Sequence, residues 1–293
     1  MNHAFLMTVH KYPKQVCEIV NILDAPNHYF FIHIDKKNYE CMMRDIGIKT
    51  LSKKSNCYII SCVSVNWGGY SQIAATLELM KETIKSKIDF AFYHLISGQD
   101  FPLVDNKYFD NYFDRHKDMS FIGIDNRSYA QRYELYHLND IVNVTSFPYN
   151  GIERCFTKLQ AFVNLFIKLR GRMEIKVFKG SNWWSINKDM FNVIITFLAA
   201  NPSYVKRFYQ TSCCDEIFFH TIMFNSKLKD HIVTNNLRYI DWHRKHLRES
   251  LPRVLDETDF DCILNSKSLF CRKIDPIKSK ILKIKIIKKI NEV

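Results

Sequence analysis

The chain holds nine cysteines yet has no Cys-x-x-Cys pair. That excludes the zinc-knuckle and thioredoxin-type arrangements. An odd number of cysteines (Cys17, Cys41, Cys57, Cys62, Cys155, Cys213, Cys214, Cys262, Cys271), mostly inside apolar runs, reads as reduced buried thiols in a cytosolic protein. The longest apolar run, Phe191–Ala200, falls well short of the ~20 residues that a membrane-spanning helix needs. No targeting segment is read at the start, because Met1–His10 enters an apolar stretch without the charged opening of a leader. The expectation is a soluble cytoplasmic protein or one peripheral to the inner face of a membrane. Glycine (8) and proline (7) are scarce for 293 residues, and no Gly/Ser/Pro-rich linker or internal repeat divides the chain. One domain over residues 1–275 is therefore expected, followed by a basic tail over 276–293.

Acidic charge is also in short supply. Lys and Arg total 42 against 30 Asp and Glu, a formal net charge of +12. Such a balance suits an anionic partner: nucleic acid, a membrane surface or a phosphate-bearing substrate. No helix-turn-helix, finger or RNA-binding aromatic motif supports the first of these, so nucleic acid is not expected as a partner. The first 130 residues contain no Asp-x-Asp pair, the hard-oxygen site that holds Mg²⁺ or Mn²⁺ against a diphosphate. Asp259-Phe260-Asp261 has the spacing but lies late, where it reads more simply as helix-capping carboxylates. No resident metal or cofactor is expected.

The first half alternates short apolar runs with helical periodicity. Strands are expected at Ala4–His10, Tyr29–Asp35, Cys57–Cys62, Phe90–Ile96 and Ser120–Ile124, with helices over Pro13–Leu23 and Tyr70–Ser86. The pattern predicts an α/β fold with a mostly parallel sheet covered on both faces. In such sheets ligands bind beyond the carboxyl ends of the strands. His10 and Lys11, Asp35 to Lys37, Trp67 to Tyr70, and Ser97 to Asp100 are thus the first places to look. Further on, a long helix is expected over Gly151–Arg170, a strand over Val177–Asn187, and helices over Lys188–Ala200 and Glu216–Asn225.

Several residues carry chemistry under one reading and structure under another. Arg272 and Lys273, with Arg253 one segment earlier, offer cationic groups for phosphate, although adjacent basic residues are common in a basic protein. Asp215 and Glu216 open a helix pattern, where carboxylates usually serve the helix dipole. Gly68-Gly69 and Ser97-Gly98 permit tight turns or close approach to a ligand. Trp183 and Trp184 either stack on a sugar or fill the core. Ile277–Val293 sets six lysines among isoleucines, which suits either an interfacial helix on an anionic membrane or a solvated terminal helix.

These signals occur in a recognisable order. The chain resembles the core-2/I-branching β-1,6-N-acetylglucosaminyltransferases and the related peptide O-xylosyltransferases. The resemblance rests on Phe31-Ile32-His33-Ile34-Asp35-Lys36-Lys37, Trp67-Gly68-Gly69, Ser97-Gly98-Gln99-Asp100-Phe101-Pro102-Leu103 and Gly180-Ser181-Asn182-Trp183-Trp184. It continues through Asp215-Glu216-Ile217-Phe218-Phe219-His220-Thr221, Asn235-Asn236-Leu237-Arg238 and Phe270-Cys271-Arg272-Lys273. It spans about residues 4 to 275.

The resemblance implies a GT-A type fold, in which a Rossmann-like nucleotide half is continuous with an acceptor half. It implies inverting sugar transfer from a UDP-sugar to a glycan or lipid-linked glycan acceptor, without a metal. Glu216 takes the place of the family's base, Arg272 and Lys273 the diphosphate-binding positions, and Arg253 is a further candidate there. Val9, His10 and Asp35 match the uridine pocket; Val65, Asn66 and Trp67 match a donor-side loop. Asn182, Trp183 and Asp100 match positions facing the sugars. The chain departs from the family in lacking an amino-terminal anchor, in its cysteine pattern and in Cys214. N-acetylglucosamine transfer onto a bacterial surface glycan is the expected reaction. Xylose stays open, because the Asp35, Trp67 and Asn235 stretches look closer to the xylosyltransferase branch. A catalytically silent nucleotide- or glycan-binding module is the rival from another class.

Overall fold

The structure is a computed structural model that describes residues 1–45, 52–125, 127, 129–137, 139–140, 158–162, 164–165, 173–243 and 251–292. The helix expected over 151–170 lies mostly outside these residues. Ten described strands form two sheets. The larger contains β1 (His3–Val9), β2 (His28–Ile34), β3 (Asn56–Ile60), β4 (Phe92–Ser97), β6 (Ser120–Asp125), β7 (Lys179–Asn187) and β8 (Ile232–Val233), in the order β3-β2-β1-β4-β7-β6-β8. β1 pairs parallel with both β2 and β4, β2 pairs parallel with β3, and only β7 runs against its neighbours. The mostly parallel α/β sheet expected from the sequence is therefore present. The smaller sheet is β5 (Phe101–Pro102), β9 (Arg238–Ile240) and β10 (Phe270–Arg272), in the order β5-β10-β9.

The central strands read as predominantly apolar runs because both faces are covered. Successive side chains of a strand point to opposite faces. Phe5, Met7 and Val9 of β1 accordingly join one core cluster, while Ala4 and Leu6 join the other. Helices α1 (Pro13–Ile22) and α4 (Asn106–Arg115) cover the first face with Val16, Ile19, Phe109 and Phe113. The second face is covered by α3 (Ser71–Lys85), α6 (Lys188–Ala200) and α8 (Phe218–Phe224), through Ile73, Met80, Met190, Ile194 and Ile222. Between them in sequence lie the short helices α2 (Tyr39–Asp45), α5 (Gln131–Glu134) and α7 (Pro202–Arg207).

Three expectations are corrected. Glu216 does not start an α-helix: it ends the 3-10 turn Cys214–Glu216, and α8 begins at Phe218. Cys213 before the turn adopts the left-handed conformation (φ 44°), which breaks the chain direction ahead of the carboxylates. Second, helix α9 (Phe260–Asn265) is followed by α10 (Lys280–Asn291), and α10 is built into the domain. Leu282 and Ile286 enter the first core cluster, and Lys283 pairs with Glu18 of α1 at 2.6 Å. Ile277, Ile281 and Ile284 stay exposed. Third, the described cysteines are free thiols, but only Cys214 and Cys271 are buried, whereas Cys41, Cys62 and Cys262 are exposed.

Candidate active site

The carboxyl ends of β1 and β2 gather one group of the residues singled out in sequence. Asp35 follows β2, and its amide donates to the Val9 carbonyl at 2.8 Å. Its Oδ1 accepts the amides of Lys37 and Val65, each at 3.1 Å. Lys37 Nζ then donates to the Val65 carbonyl (2.5 Å) and to Asn66 Oδ1 (2.9 Å). One buried carboxylate and one lysine thus fix the loop to Trp67, whose indole is 63 % exposed at the loop tip.

The next loop ties this edge to Glu216. Gly68 has φ +71°, a conformation that side chains with a Cβ rarely adopt. Its carbonyl accepts the Cys213 amide at 2.8 Å, and Gln72 joins its amide to Asp215. Beside it, Asp140 accepts from the Tyr70 amide and from the Ser71 amide and hydroxyl, placing a carboxylate on the N-terminus of α3. A Cβ on Gly69 would lie 2.2 Å from that carboxylate oxygen. The Trp67-Gly68-Gly69 motif is thus the hinge through which the loop after β3 meets the Cys213–Glu216 turn.

Glu216 Oε2 accepts from Arg132 Nη1 of α5 at 2.6 Å and lies 3.2 Å from Lys179 Nζ at the start of β7. Lys179 also pairs with Asp125 at 3.0 Å and sits 4.0 Å above the Tyr129 ring. Two cations thus aim one part-exposed carboxylate. Sequence reading misses both. Nothing in the stretch around Arg132 marks it, and the only signal for Lys179 is that it precedes the Gly180 motif.

Asp215 behaves differently. It is buried, and its carboxyl is pushed up to about 7, first by burial and then by neighbouring Glu216. A raised folded pKa means that the native state holds a proton the unfolded chain has released. Stability should therefore fall as pH rises from about 4 to 7 and then level off. Asp215→Asn keeps the contact with Gln72 and removes the penalty. The variant should match wild type near pH 4 and exceed it above pH 7, by up to about 4 kcal/mol at 1.36 kcal/mol per pKa unit. Thermal midpoints across this range check it; parallel curves would show that Asp215 is ionised throughout.

The anion-binding candidates come together through the small sheet. β10 pairs antiparallel with β5 and parallel with β9, which carries Arg272 to the loop that ends β4. Arg272 Nη1 donates to Ser97 Oγ (2.6 Å) and to Asp100 Oδ2 (3.1 Å), and its guanidinium lies 4.4 Å over the Trp183 ring. Lys273 follows directly. No carboxylate among the described residues forms an ion pair with it. Burial, then Arg272 and Lys11, hold its ammonium below the usual lysine range. His10 at the end of β1 feels the same field. The residue is exposed, yet crowding by neighbouring atoms and then the charge of Lys11, with Lys273 and Arg272 behind it, hold it below the usual histidine range against the pull of Asp35. Lys11, Arg272 and Lys273 thus lie within one another's electrostatic reach beyond the strand ends, with Asp100 paired to Arg272 and Asp275 acting on Lys11 and Lys273. Of the three, Lys273 has no ion-pair partner among the described residues and is the one most open to an anion.

Two candidates take other roles than the sequence suggested. Asp100 is fully buried and engaged by Ser97 and Arg272, so it positions the guanidinium and does not face a sugar. Arg253 is buried as well. Its guanidinium is committed to Asp241 (2.6 Å) and to Asp259, its carbonyl accepts the Lys273 amide, and the Leu255 amide donates to the Lys273 carbonyl. It orders the segment leading to Lys273 and is not presented to a diphosphate. Asp259, in turn, completes a capping box with Asp256, as its capping reading held.

Trp183 and Trp184 divide the two roles between them. Ile122 pairs with Trp184 and Ile124 with Gly180, so three residues of β7 stand opposite the single Gly123. This bulge lifts Ser181-Asn182-Trp183 out of the ladder. Trp183 meets Arg272, while Trp184 is fully buried against Phe219. Asn182 sits in the bulge with its Oδ1 buried and without a hydrogen-bond partner. Gly180 is required because a Cβ there would fall 1.8 Å from the Gly123 carbonyl oxygen. The Asn235–Arg238 motif braces the bulge: Asn236 donates to Ser181 Oγ at 2.7 Å, and buried Arg238 donates to the carbonyls of Leu95 and Trp184.

Glu216 adjoins Lys179 and Arg272 adjoins Trp183. Residues four apart on β7 therefore link the carboxylate to the cation cluster through side-chain contacts.

The chain is 27% identical over 250 residues to xylosyltransferase 1 of Homo sapiens, covering 83% of this chain and 24% of the relative. It is 26% identical over 252 residues to a xylosyltransferase of Caenorhabditis briggsae, covering 83% and 29%. The chain thus spans 24% to 29% of the length of these relatives. Among solved structures it is similar to the apo form of mouse xyloside xylosyltransferase 1, with a TM-score of 0.38, 10% identity, and coverage of 84% of this chain and 90% of that one. The family model of the core-2/I-branching enzymes matches residues 3–263, and the chain belongs to that family.

Proposed function

We propose that this protein is an inverting glycosyltransferase that moves a sugar from a UDP-sugar to a hydroxyl group of a glycan acceptor. The observation that carries the reading is the gathering of Lys11, Arg272 and Lys273 beyond the carboxyl ends of the parallel strands, together with the Glu216 carboxylate aimed by Arg132 and Lys179. The acceptor oxygen attacks the anomeric carbon from the side opposite the leaving group. The bond from that carbon to the β-phosphate oxygen breaks, and UDP departs with the electron pair. Glu216 takes the hydroxyl proton. Arg272 and Lys273 stabilise the charge growing on the diphosphate, the part a metal plays in other transferases.

Xylose is the donor sugar we favour over N-acetylglucosamine, because the curated relatives matching 83% of this chain are named xylosyltransferases. The test is UDP release from a panel of UDP-sugars with EDTA present, with and without simple glycan acceptors. Turnover of UDP-xylose under EDTA is the expected result. Preference for UDP-N-acetylglucosamine would reverse the donor assignment, and dependence on added Mn²⁺ would remove the cations from their proposed role. UDP binding without turnover of any donor would favour a silent binding module.

A further inference from the structure

Three histidines lie at the opposite end of the sheet. His3 opens β1, His28 opens β2 as its direct partner in the ladder, and His94 lies on β4. All three are fully buried. Asp110 of α4 reaches them from above: its Oδ1 is 2.8 Å from His28 Nε2 and 3.5 Å from His3 Nε2. The three atoms lie within 4.8 Å of one another.

The hydrogen bonds around this group leave a gap in its accounting. His28 Nδ1 lies 2.7 Å from the Leu23 carbonyl, which can only accept, so Nδ1 carries the hydrogen. Neutral His28 then presents a bare lone pair on Nε2 to a carboxylate oxygen 2.8 Å away. Two lone pairs at that distance need a cation between them. A proton on His28 would serve that contact alone. It would leave His3 Nε2, buried and without a hydrogen-bond partner, unsatisfied. A metal ion would satisfy both rings and the carboxylate at once.

We propose that His3 Nε2, His28 Nε2 and Asp110 Oδ1 bind a first-row transition dication such as Zn²⁺, about one sheet length from the candidate active site. Two imidazoles and one carboxylate are a ligand set for zinc and its neighbours, with bonds of about 2.0–2.2 Å, and not for the harder Mg²⁺ or Ca²⁺. The outer partners are those that such sites use. His28 donates its second ring nitrogen to a backbone carbonyl, His3 Nδ1 faces His94 Nε2 at 3.0 Å, and Asn27 donates to Asp110 Oδ2 at 3.0 Å. Phe92, Phe109 and Phe113 wall the site, while part-exposed Asp110 gives it an opening for entry and for a water ligand. The ion would join β1, β2 and α4, and binding to the folded state alone raises stability.

The experiment uses the full chain dialysed against EDTA and then titrated with Co²⁺ and Zn²⁺. One equivalent of Co²⁺ should give visible d–d bands, Zn²⁺ should displace it, and the thermal midpoint should rise with Zn²⁺. Asp110→Asn and His28→Gln should lose the bands and bind at least about tenfold more weakly. Absence of the bands and of any Zn²⁺-dependent midpoint in the wild-type protein overturns the proposal, whether or not the variants fold. Undiminished binding by a folded Asp110→Asn also overturns it, by assigning the ion to other histidines. A midpoint that responds to acid but not to Zn²⁺ would assign a proton to the gap.

Discussion

Glu216→Gln is expected to leave the fold and UDP affinity unchanged and to lower turnover about 10²–10⁴-fold, the range for a lost general base. The amide keeps the size of the carboxylate, and its oxygen still accepts from Arg132, so the turn Cys214–Glu216 and the loop joined to it through Cys213 and Gly68 should hold. The ion pairs it weakens are part-exposed, with side-chain exposures of 28% and 26% for the Arg132 pair, and such pairs contribute about 1 kcal/mol or less. A large loss of turnover without loss of stability therefore isolates the chemical role. Turnover of the donor found active, UDP affinity and a thermal melt decide the matter together. Near-normal turnover in the folded variant would take Glu216 out of the reaction.

Loss of the cations should act on UDP itself. Lys273→Met keeps the stem and removes the charge, and no carboxylate among the described residues forms an ion pair with that ammonium. The expected result is a 10- to 100-fold weaker Kd for UDP, corresponding to about 1.5–3 kcal/mol for a charged hydrogen bond, and a shallower salt dependence. Arg272→Ala should weaken binding at least as much, and it should also destabilise the protein. Asp100 is fully buried, and removing its ion-pair partner leaves that carboxylate with Ser97 and the field of Arg238 alone, so the loss should fall at or below about 3–5 kcal/mol, the cost of a broken buried pair. Reading both variants by calorimetry at a temperature where each is folded separates the two effects. Unchanged UDP affinity in both would move the diphosphate elsewhere.

The uneven legibility of the sequence follows from which interactions are local. Strands β1, β2 and β4 announce themselves because both faces are buried, so each is a predominantly apolar and aromatic run broken only by histidine, threonine or serine. Helices α1 and α6 stand where the sequence places them, α1 with Pro13 at its start; in the fold Asn187 caps α6, its side chain accepting the Met190 amide. Trp183 and Trp184 cannot be told apart in sequence, since the bulge that turns one to Arg272 and the other to the core is a property of the β6–β7 pairing. Arg253 looks as available as Arg272 until the fold sets Asp241 and Asp259 against it. Asp100 follows a strand and so resembles a ligand-facing residue, yet its carboxylate is turned inward to Ser97 and Arg272.

The sequence by itself determined the class of fold and the order of its elements, because burial and periodicity are sums over neighbouring residues. Family membership was legible for the same reason, in short motifs whose glycines and aromatics answer local backbone demands. Only the tertiary structure decided which charges act together. Arg132 lies 84 residues from Glu216, and Arg272 lies 172 from Asp100. Contacts across such separations are set by sheet order and register, through the β5-β10-β9 pairing and the bulge in β7. A charge is spent or free according to what the fold places within a few ångströms of it, and that distance is not written in the spacing along the chain.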